Sequence, residues 1–525
     1  MKKKIINSLP IMLLLLLTIF YFQYSVTILW DSAHYMGYVN ILEGILPFSN
    51  WDVVRGPVFP IIIHVGNILL GKTSQGLLMN TYIYYLFMLI FVYKILCYSF
   101  EKINFSQKRK KIMIFLIILT IIFNPIIFGF YHSLLTEFVA ITLSTISCYL
   151  AIVWLDTDYE NDRKKYIVLS LLFAIFTVFS WFLKQPYISC GLFPLIISYI
   201  ISVFQDKKIK KIVIRTLTVL LSVICLISSI MIWNSILSKA GANPTTERNP
   251  SVSLGNLLID GMYFTRIESN AQTRDINYIN NNVNLSKDEK SELLKMIANN
   301  KDYQLINIYD NKGNIIDIDY IISCDGNVSI VNALKYIIKS FFNYPLRVID
   351  GYVTNYLSII DIYSTTTDNS INYNITKKID LTFSNEIITI PTKSYYYGSS
   401  NIYYMLPEME AMVTNYEQTN YSNKLLNYGM LLLSKIFLIV FKFAFLLLPI
   451  LFILSIIIRI KIRKKYNDKK VLNMIIILFG YGILHLLLHV VTGAIIDRYA
   501  IPAFISTYLG IIILLFQCIR KKRKI

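Results

Sequence analysis

Uncharged, mainly apolar runs close to 20 residues long constrain this chain more than any other feature; residues 166–183 and 499–518 are two of them. A helix of about 20 residues rises ~30 Å, the thickness of a bilayer's hydrocarbon core. The runs recur along 525 residues that are 55% hydrophobic and only 16% charged, with mean hydropathy +0.53. A soluble chain of this length needs far more polar side chains to cover its core. The pattern therefore predicts an all-α polytopic membrane protein.

A net charge of +19 raises the question of a nucleic-acid partner. The basic residues sit in short clusters between apolar runs, without interleaved stacking aromatics, so nucleic acid is excluded as a partner and the positive-inside rule explains them. The six cysteines are scattered and show neither a disulfide framework nor zinc-site spacing. Lys2–Lys4 followed by apolar residues up to Trp30 resembles a secretory signal, but no small-residue cleavage site follows, which predicts an uncleaved first helix.

With Lys2–Lys4 inside, the first helix (about residues 8–30) delivers Asp31 to the outside. The apolar piece Val58–Leu70, bounded by Pro57 and Gly71, is too short to span and is expected to lie at the interface. If it spanned, Lys108-Arg109-Lys110-Lys111 would be exported. Further spans are expected at 77–99, 112–130, 134–155, 166–183, 187–204, 212–233, within 428–458, at 471–490 and at 499–518. This threading leaves 27 Lys and Arg in inside segments against four (Arg55, Lys72, Lys184, Arg498) in short outside loops. About ten helices with both termini cytoplasmic is the expected topology.

The expected domains are a seven-helix module over 1–233 with an outer loop at 31–76, an extracytoplasmic domain over 234–427, and a three-helix region over 428–525. The large outer segment reads as mixed α/β. Tyr303–Ile308 and Ile315–Tyr320 alternate around a turn at 310–314, which predicts a hairpin. Ser286-Lys287-Asp288-Glu289 carries a helix-capping signature. Residues 331–363 read as amphipathic helix interrupted at Pro345, equally suited to the membrane surface and to packing inside the domain. The Asn-, Ile-, Lys- and Tyr-rich composition points by association to an AT-rich bacterial genome, and hence to a bacterial plasma membrane.

No Gly-rich phosphate loop, His-Glu-x-x-His or nucleophile elbow is present. Ionisable residues near the outer ends of the helices are costly and so informative. They are Asp31, His34, Glu43, Asp52, Arg55, His64, His132, Glu137, Lys184, His485, His489, Asp497 and Arg498. Acids in such a set can supply a base, and cations can hold a phosphate.

Several of these residues fall in a recognisable order. Trp30-Asp31-Ser32-Ala33-His34-Tyr35, Leu42-Glu43-Gly44 and Arg55-Gly56-Pro57-Val58-Phe59-Pro60 resemble the first outer loop of GT-C fold glycosyltransferases. Protein O-mannosyltransferases and lipid A aminoarabinose transferases belong to that group. Leu134-Leu135-Thr136-Glu137 is similar to its acid-bearing helix start, and Asp497-Arg498-Tyr499-Ala500-Ile501-Pro502 to its late Arg-Tyr-x-x-Pro element. The departures are fewer helices than in many members and Arg55 where Lys is commoner. The resemblance implies transfer of a sugar from a polyprenyl-phosphate donor to an extracytoplasmic acceptor: a cell-envelope glycan, a lipid or a protein. It implies Asp31 as base and Glu137 as second acid, orienting the acceptor or holding a metal. Arg55, Lys184 and Arg498 are implied for the lipid phosphate, with His34, Tyr35, His132 and Tyr499 beside them. Whether a divalent metal is needed stays open.

Plainer readings stand beside these. Asp31 can simply end a helix, Glu137 can serve the helix dipole, and Lys184 and Arg498 can snorkel. The rival functions are an O-antigen-type polymerase or ligase, whose catalytic cations would lie in the large loop, and a lipid-linked glycan transporter or flippase, for which inverted repeats and broken helices are expected.

Overall fold

The computed structural model describes residues 2–22, 26, 30–51, 55–103, 106–205, 208–242, 250–262, 265–267, 279–280, 286–299, 303–309, 315–324, 327–360, 424–461, 466–493 and 497–522. Among them, eight helices are long and apolar enough to cross a membrane. The chain is a multi-pass, predominantly helical membrane protein.

The N-terminal part runs through α1 (Lys2–Tyr21), α2 (Trp30–Leu42), α3 (Val58–Leu70), α4 (Ser74–Lys102), α5 (Gln107–Ile122), α6 (Pro125–Tyr131) and α7 (Thr136–Asp156). It continues with α8 (Arg163–Leu183), α9 (Ile188–Gln205) and α10 (Ile209–Lys239). The expected interfacial piece at Val58–Leu70 is α3, with the same bounds. Its Phe59 and Ile63 are buried, while Ile61, Val65, Ile68 and Leu69 face outward.

Two expectations are corrected. The first helix ends at Tyr21, not near residue 30, and Asp31 opens the separate helix α2 instead of terminating α1. The Tyr21 carbonyl, which a continuing helix would offer to residue 25, stands 3.0 Å from His132 Nε2. The expected single span at 112–130 is broken: α5 and α6 meet at 62°. Pro125 supplies no N–H to continue the ladder, and the Asn124 side chain caps the new helix at Ile126 N (3.0 Å) and Ile127 N (3.4 Å). Counting this pair as one span gives nine among the described residues, one fewer than the expected ten, because the apolar part of α1, Met12–Tyr21, is shorter than a span needs.

The C-terminal part comprises a 38-residue helix (Lys424–Lys461), then Tyr466–Val491 and Ile501–Lys522. Helix α7 sits at the centre: 78% of its apolar window is buried, against 17% for peripheral α10. Small polar side chains join neighbouring helices across this core. Ser144 donates to Pro502 O (2.9 Å), Thr142 to Tyr84 O (3.2 Å) and Ser198 to Ala151 O (3.3 Å). A Cβ on Gly191 would lie 2.5 Å from Phe176 O, so the α8–α9 contact requires glycine there.

Charge pairs gather at one end of the bundle. Lys470 pairs with Asp156 (3.0 Å), Lys211 with Asp158 (2.5 Å) and Lys110 with Glu101 (2.6 Å), and Gln517 donates to Asp468 (3.0 Å). The opposite end carries the corners that matter below.

Between the two helical regions lie α11 (Pro250–Asp260), α12 (Lys287–Asn299), α13 (Ile330–Asn343) and α14 (Pro345–Ile359). With them is an antiparallel sheet of β1 (Thr265–Ile267), β2 (Tyr303–Tyr309), β3 (Ile315–Cys324) and β4 (Asn327–Val328), in that spatial order. The expected hairpin pairs Tyr303 with Ile322 and Asn307 with Ile318; its turn at 310–314 lies outside the described residues. Ile306, Ile308, Ile321 and Val328 pack on Leu258, Met262, Ala333 and Val348 to form a small second core. This unit is fastened to the bundle. Asn355 Nδ2 donates to Gly261 O (2.7 Å) and to Val490 O (3.1 Å), and Tyr356 OH donates to Phe445 O (2.6 Å). Numbering the C-terminal helices α15 (Lys424–Lys461), α16 (Tyr466–Val491) and α17 (Ile501–Lys522), Pro449 lies inside α15 and withholds the N–H that would serve Phe445 O. Tyr356 fills that vacancy.

Candidate functional site

Four corners of the bundle meet at the end opposite the paired lysines. Glu137 stands in the first turn of α7, where the positive end of the helix dipole favours a carboxylate. Lys184 follows the last residue of α8. Pro186 has no N–H to extend that helix, so the chain passes through an extended Lys184 and the 3-10 turn Gln185–Tyr187 into α9. His485 and His489 lie four residues apart on one face near the end of α16. Arg498 and Tyr499 occupy the 3-10 turn Asp497–Ala500, which leads into α17 with Pro502 in its opening turn.

These groups form one buried polar cluster around Tyr499. Arg498 Nε lies 3.4 Å from Glu137 Oε1, and both side chains are almost completely buried, at 9% and 1% exposed. Thr136 Oγ1 donates to the second carboxylate oxygen at 3.2 Å. Lys184 Nζ lies 4.4 Å from the centre of the Tyr499 ring, in cation–π contact. His489 stacks on the same ring at 5.2 Å, and Tyr187 meets it edge-on at 6.1 Å. The Tyr499 backbone oxygen accepts from His485 Nε2 at 2.6 Å. A carbonyl only accepts, so His485 carries its proton on Nε2, and Nδ1 accepts from Ser189 Oγ at 2.6 Å. His485 is thereby fixed as a brace between α9 and the Arg498 turn.

Several buried polar atoms here have no hydrogen-bond partner among the described residues: Glu137 Oε1, the Tyr187 hydroxyl and both ring nitrogens of His489. Native interiors rarely leave such atoms unserved, so a concentration of them at one place marks a site for a ligand or water. The Tyr187 hydroxyl lies in the field of Glu137, Tyr499 and Arg498, and His489 in that of His485 and Lys184. Glu137, Lys184 and Arg498 thus bring a carboxylate and two cations to one place.

The segment between α1 and α3 reaches the same neighbourhood. Ser32 donates to Leu134 O (2.7 Å), which sets the start of α2 against the loop entering Glu137. Asp31 is in that first turn; its side chain, like those of His34 and Asp497, lies outside the described residues. Arg55 donates to the Tyr35 hydroxyl (3.4 Å), and the Tyr35 ring packs on Phe59, which packs on Phe138 next to Glu137. A Cβ on Gly56 would lie 1.9 Å from Phe182 O, so this loop presses on the end of α8 two residues before Lys184. Only glycine permits that approach.

His132 is not part of the cluster. Its ring packs between Tyr21 and Phe128 at 4.0 Å from each, with Nδ1 2.9 Å from Phe128 O and Nε2 3.0 Å from Tyr21 O. It joins α1 to α6. Among the described residues no three His, Cys, Asp or Glu side chains gather as metal donors. A groove of about 300 Å³ between α1, α4 and α5 is lined by Leu17, Leu89 and Ile118 beside Lys110 and Lys111, at the far end of the bundle. It plays no part in this site.

The structure thus joins Glu137, Lys184, Arg498 and Tyr499 and brings Arg55 and Tyr35 alongside. It adds Tyr187, His485 and His489. The histidine pair carried a visible signal, its four-residue spacing beside a helix end; Tyr187 carried none. No protein family, curated protein or solved structure matches this chain.

Proposed function

We propose that the protein is a GT-C type glycosyltransferase of a bacterial plasma membrane. It moves a sugar from a polyprenyl-phosphate donor to an acceptor outside the cytoplasm. The buried Glu137–Arg498 pair, with Lys184 against the shared Tyr499 ring, is the observation that carries this reading. In the orientation that puts the lysine-rich end in the cytoplasm, the cluster lies toward the outer face, where no nucleotide-sugar pool exists and a lipid-linked donor is required.

In this reading the acceptor hydroxyl attacks the anomeric carbon as the bond from that carbon to the phosphate oxygen breaks. The bonding pair leaves with the phosphate. The hydroxyl proton passes to a carboxylate, for which Asp31 is proposed. Arg498 grips the phosphate through two N–H groups, and Lys184 adds a point charge as negative charge grows on the leaving oxygen. Glu137 holds the guanidinium in place and presents Oε1 to the acceptor. The unserved Tyr187 hydroxyl and His489 nitrogens supply hydrogen bonds to the sugar or phosphate.

The test is transfer from a radiolabelled polyprenyl-phosphate sugar in membranes by wild type and Asp31→Asn. Removing the base is expected to slow transfer by ~100-fold or more while the folded fraction is unchanged. Wild-type turnover by a well-folded Asp31→Asn protein would remove the mechanism.

A further inference from the structure

Helices α13 and α14 each carry an outward row of large apolar side chains. Leu334, Ile338 and Phe342 form it on α13, and Leu346, Ile349 and Val353 on α14; Phe342 is 79% exposed and Leu346 81%. The spacing of three to four residues places each row on one helix face. The inward faces are already used. Ala333, Tyr336 and Val348 pack in the small core, and Asn355 holds the end of α16. The two rows meet at the short joint Asn343–Pro345. An apolar surface this continuous is foreign to a face in contact with water.

The attachment of α14 fixes what lies beneath it. Tyr356 OH donates to Phe445 O, the carbonyl released by Pro449. Phe445 lies 16 residues before the basic end of α15 at Lys461, ~24 Å along the axis at 1.5 Å per residue. That height falls within a hydrocarbon core ~30 Å thick. Around the same level of α15, Ile439, Phe443 and Leu447 are exposed and apolar, as lipid-facing residues are. The C-terminal end of α14 therefore reaches into the outer part of the bilayer, and the rows leading away from it start at its surface.

We propose that α13 and α14 form an amphipathic platform seated in the lipid–water interface, its apolar rows among the upper acyl chains and headgroups. Lys335, exposed beside Leu334 and Ile338, reaches headgroup phosphates from the edge of the row. The platform fixes the height of the small sheet above the membrane. Because α14 is tied through Asn355 to Val490, one residue after His489, it also holds the sheet over the polar cluster. This inference does not depend on glycosyl transfer being the activity.

The test uses the full chain in phospholipid vesicles, with an environment-sensitive fluorescent amino acid encoded at Phe342, at Leu346, or at exposed Lys295 on α12 as control. The probes at 342 and 346 are expected to emit at shorter wavelength than the control. They should be quenched several-fold more by a lipid bearing a nitroxide near the headgroup than by aqueous iodide, with the reverse order at 295. Iodide quenching at 342 and 346 equal to that at 295 would overturn the proposal. Protection from both quenchers would overturn it as well, because the rows would then be covered by protein, residues 361–423 being nearest in sequence. Two probe positions guard against one substitution disturbing the fold.

Discussion

Breaking the Glu137–Arg498 pair separates its structural role from its chemical one. At 3.4 Å, a charge pair in surroundings of effective dielectric near 20 attracts by about 5 kcal/mol, an energy offset by the desolvation of both groups. Arg498→Met leaves a carboxylate that is 1% exposed without its counter-charge, which is expected to destabilise the fold by ~3–5 kcal/mol. The double variant Glu137→Leu/Arg498→Met removes both charges and is expected to return to within ~1–2 kcal/mol of wild type, since apolar replacements of buried pairs are often neutral. Transfer activity should behave differently. In the proposed mechanism both variants lose the phosphate grip, so the double variant is expected to stay ~100-fold or more below wild type even though its stability recovers. The assays are thermal unfolding in detergent and sugar transfer on the same preparations. Arg498→Met as stable as wild type would refute the buried pair. Recovery of turnover in the double variant would show that these residues hold the fold only.

Other substitutions give equally distinct expectations. Tyr187→Phe removes a hydroxyl that has no partner among the described residues, so stability should hold or rise slightly while transfer falls ~10–100-fold; unchanged transfer would take Tyr187 out of the site. Tyr356→Phe leaves Phe445 O, already deprived by Pro449, unserved and should cost ~1–3 kcal/mol by unfolding, with loosened attachment seen as faster proteolysis within 250–360. Gly56→Ala places a methyl against Phe182 O and should lower both stability and transfer, because the loop carrying Arg55 is pushed from the end of α8. Lys211 hydrogen-bonded to Asp158 holds that carboxyl below the usual carboxylate range, so its contribution is complete above the unfolded value near ~4 and is lost as pH falls through the folded one. Thermal midpoints measured from pH 5 down to pH 2 should fall less in Asp158→Asn than in wild type. The difference will be small, because the pair is partly exposed.

The sequence made some of this architecture legible and hid the rest for identifiable reasons. Hydropathy alone located α3, since thirteen apolar residues between Pro57 and Gly71 are too few to span, and alternation alone located the β2–β3 hairpin. Pro345 marked the joint between α13 and α14. Asn124-Pro125 carried the same signal inside an apolar run, yet hydropathy treats such a run as continuous. The end of α1 at Tyr21 was hidden because apolar residues continue to Trp30, and the contact at Tyr21 comes from His132, more than 100 positions away. Glu137, Lys184 and Arg498 were findable because charges near the ends of apolar helices are costly and few. Their meeting depends on the Pro186 and Pro502 corners, which sequence order does not reveal. Tyr187 resembles any other aromatic until the 3-10 turn Gln185–Tyr187 sets it in the field of Glu137.

The most direct test of the central claim is an experimental structure in lipid nanodiscs with a polyprenyl-phosphate sugar bound. The account predicts the donor phosphate within hydrogen-bonding distance of Arg498 and Lys184, and the anomeric carbon facing Asp31 and Glu137. A phosphate bound elsewhere, with Arg498 still closed on Glu137 and no sugar beside Tyr187 and His489, would contradict it.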